Sequence, residues 1–265
     1  MPPRFFDGID WSRHWYAAVL PVAQEVLAGA DWRTRISQLS AQSGLLNHLD
    51  LPIQFIAQEE LPEGVAYEAH ISASGQVPTR ENLHDFFNAL VWLSFPCVKR
   101  QLNALQAAQI KAIGIGKSRG PARDAATIFD ENAALLVVED SEQGQALIAS
   151  LRAHAWQDAF VAQADKFGQI AEVWCFGHAL MEKLVKPYKA ITAHTWVLMV
   201  DQAYFVLDAT ARRAHVDQLV AAQLASHPLT TADYTPLPIL GLPGWWPQQD
   251  QFFYADQQVF RARRT

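Results

Sequence analysis

The stretch Ile170-Ala171-Glu172-Val173-Trp174-Cys175-Phe176-Gly177-His178-Ala179-Leu180-Met181-Glu182-Lys183-Leu184-Val185 reads as a strand, a glycine turn and a helix in direct succession. Residues 170–176 are rich in Ile, Val, Trp and Phe, which suit a pleated surface; Gly177 punctuates, and Ala179–Val185 is made of good helix formers. Outward from it the mixture continues. Ile191–Val200, rich in Thr, Trp and Val, is the strongest strand, and His215–Ala225 reads as a helix. On the other side, Ala133–Glu139 reads as a buried strand and Gln143–Trp156 as the helix after it. Further back come a helix opening at Thr79 as N-cap and closing at Ser94 before Pro96, a second over Val98–Ile113, a loop over Gly114–Pro121 and a short helix over Ala122–Ile128. Leu51–Gln58 and Ala66–Ser72 lean to strand and would form a hairpin across Pro62-Glu63-Gly64. Residues 1–50 are helical in texture, with Pro21 as an interruption, and residues 228–265 read as a Pro- and Trp-rich tail. Helices alternate irregularly with few strands. The class expected is α+β, helix-dominated, with a small, mostly antiparallel sheet in one compact domain over 1–265.

Composition narrows the function. Of 265 residues half are hydrophobic, 18% are charged and the net charge is −6, which excludes disorder and makes a nucleic-acid partner unexpected. Cys97 and Cys175 lie in apolar runs, as buried thiols of a reduced cytoplasmic protein would. The N-terminus lacks an apolar signal core, and the charge-free run Phe86–Val98 falls short of the roughly 18 residues a membrane span needs, so no membrane partner is expected.

Four clusters hold the candidate chemistry. In 80–88, a helical projection puts Leu83, Phe86, Phe87, Leu90 and Leu93 on one face, and Glu81, His84, Asp85 and Asn88 on the other, with Trp92 continuing their stripe. A solvated face is the ordinary reading. Solvated faces, however, carry Lys, Glu, Gln and Arg, whereas His, Asp and Asn are weak helix formers. Imidazole and carboxylates on adjacent turns suit metal ligation or acid–base work. His178 and Glu182, four apart, share a helix face among apolar neighbours, and a helix N-terminus at His178 disfavours imidazolium. A surface ion pair is the plainer alternative there. His194 shares a strand face with Thr192 and Trp196 and follows His178 closely enough to meet it, although a lone strand histidine is ordinarily a satisfied core residue. Asp130-Glu131-Asn132, before the strand at 133, makes either a turn or a pair of carboxylates at a strand edge.

Gly114-Ile115-Gly116-Lys117-Ser118 ends like a phosphate-binding loop but fails as one, because Lys111 stands where the first glycine belongs and no strand precedes. A basic segment remains: Lys111, Lys117, Arg119 and Arg123. It is either a solvated loop or a local anion site.

Taken together, Thr79-Arg80-Glu81-Asn82-Leu83-His84-Asp85-Phe86-Phe87-Asn88-Ala89-Leu90-Val91-Trp92, Arg123-Asp124 with Phe129-Asp130-Glu131-Asn132, Phe176–Leu184, Pro236–Trp245 and Phe253–Arg261 resemble a bacterial family known as domain of unknown function 3025. Ala133 departs from the pattern, which has glycine there. The resemblance implies a bacterial cytosolic protein of one domain and supplies no activity.

Two functional expectations follow from the residues. The first is a metal-assisted hydrolase. His84, His178, Glu182 and His194 would supply the ligands of one divalent ion (Zn, Mn or Fe), and Asp85 or Glu131 the base, with Asn88 and Asp130 beside them. Arg80, Arg119, Arg123 and Trp92 would contact a small, anionic substrate in an aromatic-lined pocket. The second is a non-catalytic binding protein, its His and Asp clusters being structural networks and its basic loop and Gly241–Trp246 segment meeting a partner. Convergence of the histidines on one cavity separates the two.

Overall fold

The computed structural model describes residues 4–113 and 120–263. In chain order the elements are α1 (Leu20–Leu27), α2 (Trp32–Ser43), β1 (Gln54–Ala57), α3 (Tyr67–Ser74), β2 (Gln76–Thr79), α4 (Leu83–Ser94), α5 (Pro96–Ile113), α6 (Pro121–Asn132), β3 (Ala133–Glu139), α7 (Glu142–Arg152), β4 (Ala171–Cys175), α8 (His178–Lys183), β5 (Thr192–Val200), α9 (Ala209–Ser226), β6 (Thr235–Pro238) and α10 (Gln251–Tyr254). The class is α+β. The larger sheet runs β4-β3-β5-β6; β3 pairs antiparallel with β4 and parallel with β5, and β6 adds antiparallel at the far edge. Every residue of β3 from Ala133 to Val138 is buried, so this strand is apolar without alternation, as a strand covered on both faces must be.

Several boundaries differ from those expected. Residues 66–72 belong to helix α3, not to a hairpin strand. The helix ends at Gly75, whose φ is +74° and where a Cβ would lie 2.4 Å from the Pro52 carbonyl oxygen. Only glycine lets the chain turn there, and the segment that follows, β2, pairs in parallel with β1. Thr79 closes β2, and the cap of α4 is Asn82, whose side chain accepts from Asp85 N at 2.8 Å. Its predicted end at Ser94 holds. Pro21 lies in the first turn of α1, where a proline starts a helix and does not break it. Asp130-Glu131-Asn132 is the last turn of α6, because Ala125, Ala126 and Phe129 bury that helix's apolar stripe up to its end. Residues 228–265 are less irregular than expected: β6 completes the sheet, and Phe253, Tyr254 and Phe260 enter the core. Cys175 is buried, but Cys97 is exposed. Ala133 has extended backbone (φ −75°, ψ 142°), which any residue adopts, so the departure from glycine there costs nothing.

The apolar stripe of α4 (Phe86, Phe87, Leu90) is fully buried in a core that extends from Phe6 to Phe260. Its other stripe is buried only in part: Asp85 is 7% exposed and Asn88 6%, whereas His84 is half-buried and Glu81 is exposed. Trp92 joins a second, smaller cluster with Leu45, Ile53, Ile71 and Val77. α4 is therefore packed on both sides from Asp85 onward, and its polar stripe faces a partly open space.

Candidate functional site

That space is a cavity of about 570 Å³. α3 contributes Tyr67 and Glu68, α4 and the turn before it Arg80, His84, Asp85 and Asn88, α5 Gln106, α6 Arg123, Thr127, Asp130 and Glu131, and α8 His178. Three of the four sequence clusters thus meet on one cavity.

Their polar atoms form one chain. Glu182 Oε2 lies 3.0 Å from His84 Nδ1, and His84 Nε2 lies 3.0 Å from His178 Nε2, the two rings meeting edge-on. His178 Nδ1 is 3.7 Å from Asp130 Oδ2, while Lys99 donates to Asp130 Oδ1 at 2.6 Å and to Asn88 Oδ1 at 2.9 Å. Asn88 Nδ2 in turn donates to the Tyr67 hydroxyl at 3.1 Å. His178 and Lys99 are almost fully buried, and His84 and Glu182 are partly exposed.

The electrostatics follow from burial and these neighbours. Burial, seconded by the positive charges of Lys99 and His84 and opposed by Asp130, pushes His178 down to about 4, so its ring is neutral near pH 7. Burial raises Asp130, but Lys99 and the histidines outweigh it and hold the carboxyl below its usual value. Tyr67 is pushed well above the ordinary tyrosine range, chiefly by burial.

Two protonation states fit these contacts, and they differ by one proton. Glu182 requires a proton on His84 Nδ1 in both. In the first state His178 Nε2–H donates to a bare His84 Nε2, leaving His178 Nδ1 bare; that atom is buried without a hydrogen-bond partner. In the second, His178 Nδ1 carries the added proton toward Asp130, and the shared proton has passed to His84. The positive charge then rests on the more exposed ring beside Glu182, and His178 stays neutral.

The remaining candidates fall as follows. Asp85 lines the cavity, but its oxygens are occupied by Arg80, which donates from its backbone N at 2.7 Å, Nε at 2.9 Å and Nη2 at 3.1 Å. Glu131 is exposed on the cavity wall, and Arg123 is buried there. Trp92 lies behind the cavity, its ring centroid 5.0 Å from Lys99 Nζ. His194 does not line the cavity: its Nδ1 faces Asn132 Nδ2 at 2.8 Å and its ring meets Tyr234. Among the described residues no three or more His, Cys, Asp or Glu side chains are grouped so as to hold a metal ion. Nor is the wall aromatic in the way expected, since Tyr67 is the sole Trp, Tyr or Phe among its described residues. Trp174 and Trp196 turn to other partners, Glu172 and Gln223. Arg119 and the loop 114–119 lie outside the described residues. Sequence reasoning missed Lys99, Tyr67 and Gln106.

His178 owes its position to Gly177. A Cβ on Gly177 would lie 2.5 Å from Asn132 N and 2.5 Å from Glu131 O, and the backbone N–H groups of Phe176 and Gly177 both donate to Ala133 O. The start of α8 is thus pressed against the end of α6, which sets His178 beside Asp130. Gly177→Ala is expected to force this junction apart at a cost of about 1–3 kcal/mol, read as a lowered urea midpoint. An unchanged midpoint would contradict the packing described.

A family model described as Protein of unknown function (DUF3025) matches residues 53–264. Comparison with curated proteins and with solved structures returns no match.

Proposed function

The chain belongs to the DUF3025 family, and on that premise we propose that it is a single-domain bacterial cytoplasmic enzyme, a hydrolase of small molecules whose base is one of two paired histidines. One observation carries the reading: the succession Glu182–His84–His178–Asp130–Lys99, of which His84, His178 and Asp130 line a partly open cavity. His84, the more exposed ring, is the general base: when a substrate X–H group displaces the hydrogen bond between the rings, His84 Nε2 takes its proton, Glu182 balances the charge through Nδ1–H, and the same proton is returned to the leaving group. His178, buried and neutral, donates Nε2–H to hold His84 or the incoming group in place, and Asp130, held by Lys99, faces its Nδ1 at 3.7 Å. Of the three histidines on which the choice turned, His84 and His178 meet at one cavity and His194 has partners of its own; the meeting of the first two beside Asp130 supports an enzyme over a binding protein. No helix among the described residues is long and apolar enough to cross a membrane.

The test is a panel of small ester, amide and phosphoester substrates offered to the full chain. His84→Gln keeps a polar side chain but cannot carry the charge, so kcat/KM on any hydrolysed substrate is expected to fall by about 10². Equal turnover by His84→Gln would overturn its role as the base.

A metal-assisted form of the same hydrolysis is favoured by one feature. Each ring of the pair has its other nitrogen beside a carboxylate, as oriented metal-binding imidazoles do. An ion there would displace the hydrogen bond between the rings. Elemental analysis of tag-free protein, with thermal shifts in Zn²⁺, Mn²⁺ and Fe²⁺, decides between the two forms: stoichiometric metal supports this one, and no metal with no shift leaves the metal-free form.

A further inference from the structure

We infer that the Arg123 end of the cavity is a subsite for an oxyanion, a carboxylate or phosphate carried by the small molecule bound there. The inference rests on the reading above only in calling that molecule a substrate. Arg123 is 8% exposed, its Nε is buried without a hydrogen-bond partner, and no ion pair among the described residues includes it. Guanidinium does not lose its proton in a protein, so a buried Arg without a counter-ion keeps a charge that is costly to leave unpaired.

Among the described residues, the other two cations at the site are spent: Lys99 on Asp130 and Arg80 on Asp85. Those pairs equally use up the two innermost carboxylates. Of the other acids on the wall, Glu131 is exposed and Glu68 has an interaction of its own. An incoming anion therefore meets an uncompensated guanidinium whose planar fork suits two oxygens of a carboxylate or phosphate. Gln106, 6% exposed on α5, and Thr127, one turn after Arg123 on α6, add an amide and a hydroxyl to the same wall.

The spacing constrains the ligand. Arg123 and Asp130 are seven residues apart on one helix, about 10 Å along its axis. A molecule anchored at Arg123 and reacting beside His178 carries its anionic group several bonds from the bond that is cleaved. The expected class is a small acid or phosphate ester with an extended body.

The test uses the full chain with inorganic phosphate and, separately, malonate, at ionic strength held constant with sodium chloride. A saturable rise in Tm with one or both anions is expected, together with a shift of the Arg123 Nε–H resonance in ¹⁵N-labelled wild-type protein. That resonance is identified by its loss in Arg123→Lys. The anion that binds names the group. Arg123→Gln removes an unpaired buried charge, so the ligand-free variant is expected to melt no lower than wild type while its anion affinity falls more than tenfold. Arg123→Lys keeps the charge without the fork and is expected to bind more weakly than wild type. Failure of both anions to bind saturably, or equal affinity in both Arg123 variants, would overturn the subsite. His84→Gln is expected to keep the affinity for the anion within twofold. Normal turnover in that variant would remove the His84 base and leave the subsite standing; absent anion binding would do the reverse.

Discussion

Lys99→Met is expected to lower the free energy of unfolding by about 3–5 kcal/mol at pH 7. Lys99 is 5% exposed, and its Nζ gives Asp130 a 2.6 Å hydrogen bond and Asn88 one of 2.9 Å. Methionine fills the same volume and can still lie against Trp92. It leaves a largely buried carboxylate facing only the neutral His178 ring, and this orphaned charge is what destabilises. Equilibrium urea unfolding gives the size of the effect, and two controls identify its origin. The double variant Lys99→Met/Asp130→Leu removes both charges and is expected to recover most of the loss, since a buried pair replaced by apolar residues is often close to neutral. The single variant's deficit is also expected to shrink in acid, because Asp130, deprived of Lys99, takes up a proton there and ceases to be a buried charge. A deficit below about 1 kcal/mol at pH 7 would mean that Asp130 does not depend on Lys99.

Acid should also destabilise the wild-type protein through His178. The folded ring titrates at about 4 and an unfolded one at 6.5. Between those values the unfolded chain binds a proton at this position that the native state refuses, so stability falls as pH falls. The His178 share is about 2 kcal/mol by pH 5 and roughly 3 kcal/mol by pH 4. Burial lowers His194 and His48 as well, and they act in the same direction. Asp130 joins at the acid end: its carboxyl is held below 3.8, so its contribution is present above that value and is lost as pH falls below it. His178→Phe keeps a ring of similar shape without a titrating nitrogen. Its unfolding free energy should fall less than that of wild type between pH 7 and pH 4, by roughly the His178 share. Parallel pH profiles for the two proteins would show that His178 is protonated in the native state.

Much of this site was legible because the helix periodicities were right. The projection of 83–93 separated Phe86, Phe87 and Leu90 from His84, Asp85 and Asn88, and the structure keeps that division. The spacing of His178 and Glu182 placed both on one face of α8 correctly. It could not show that Glu182 pairs with His84 and not with His178, because that contact spans 98 residues and depends on how α4 packs on α8. His194 was misplaced for a related reason. Parallel pairing with β3 sets it opposite Ala133, within reach of Asn132, and nothing local encodes that register. Tyr67 was hidden by a strand reading of 66–72, where β-branched and aromatic residues outweighed the capping glycine at 75. Lys99 stands next to the exposed Arg100 and looks like surface charge. A faint signal existed: Lys99, Asn103 and Gln106 recur at helical spacing, and all three prove to be buried.

The two hydrophobic clusters divide α4 lengthwise. Phe86, Phe87 and Leu90 belong to the large core, whereas Trp92 belongs to the small cluster that also holds Ile71 of α3 and Val77 of β2. The cavity is thus bounded on one side by the main sheet-and-helix body and on the other by a patch with few apolar members. Unequal burial means unequal resistance to local opening. Amide hydrogens of α3 are therefore expected to exchange before those of β3, α6 and α8, whose apolar residues lie in the large core. Any opening of the cavity would then begin on the side away from His178 and Asp130.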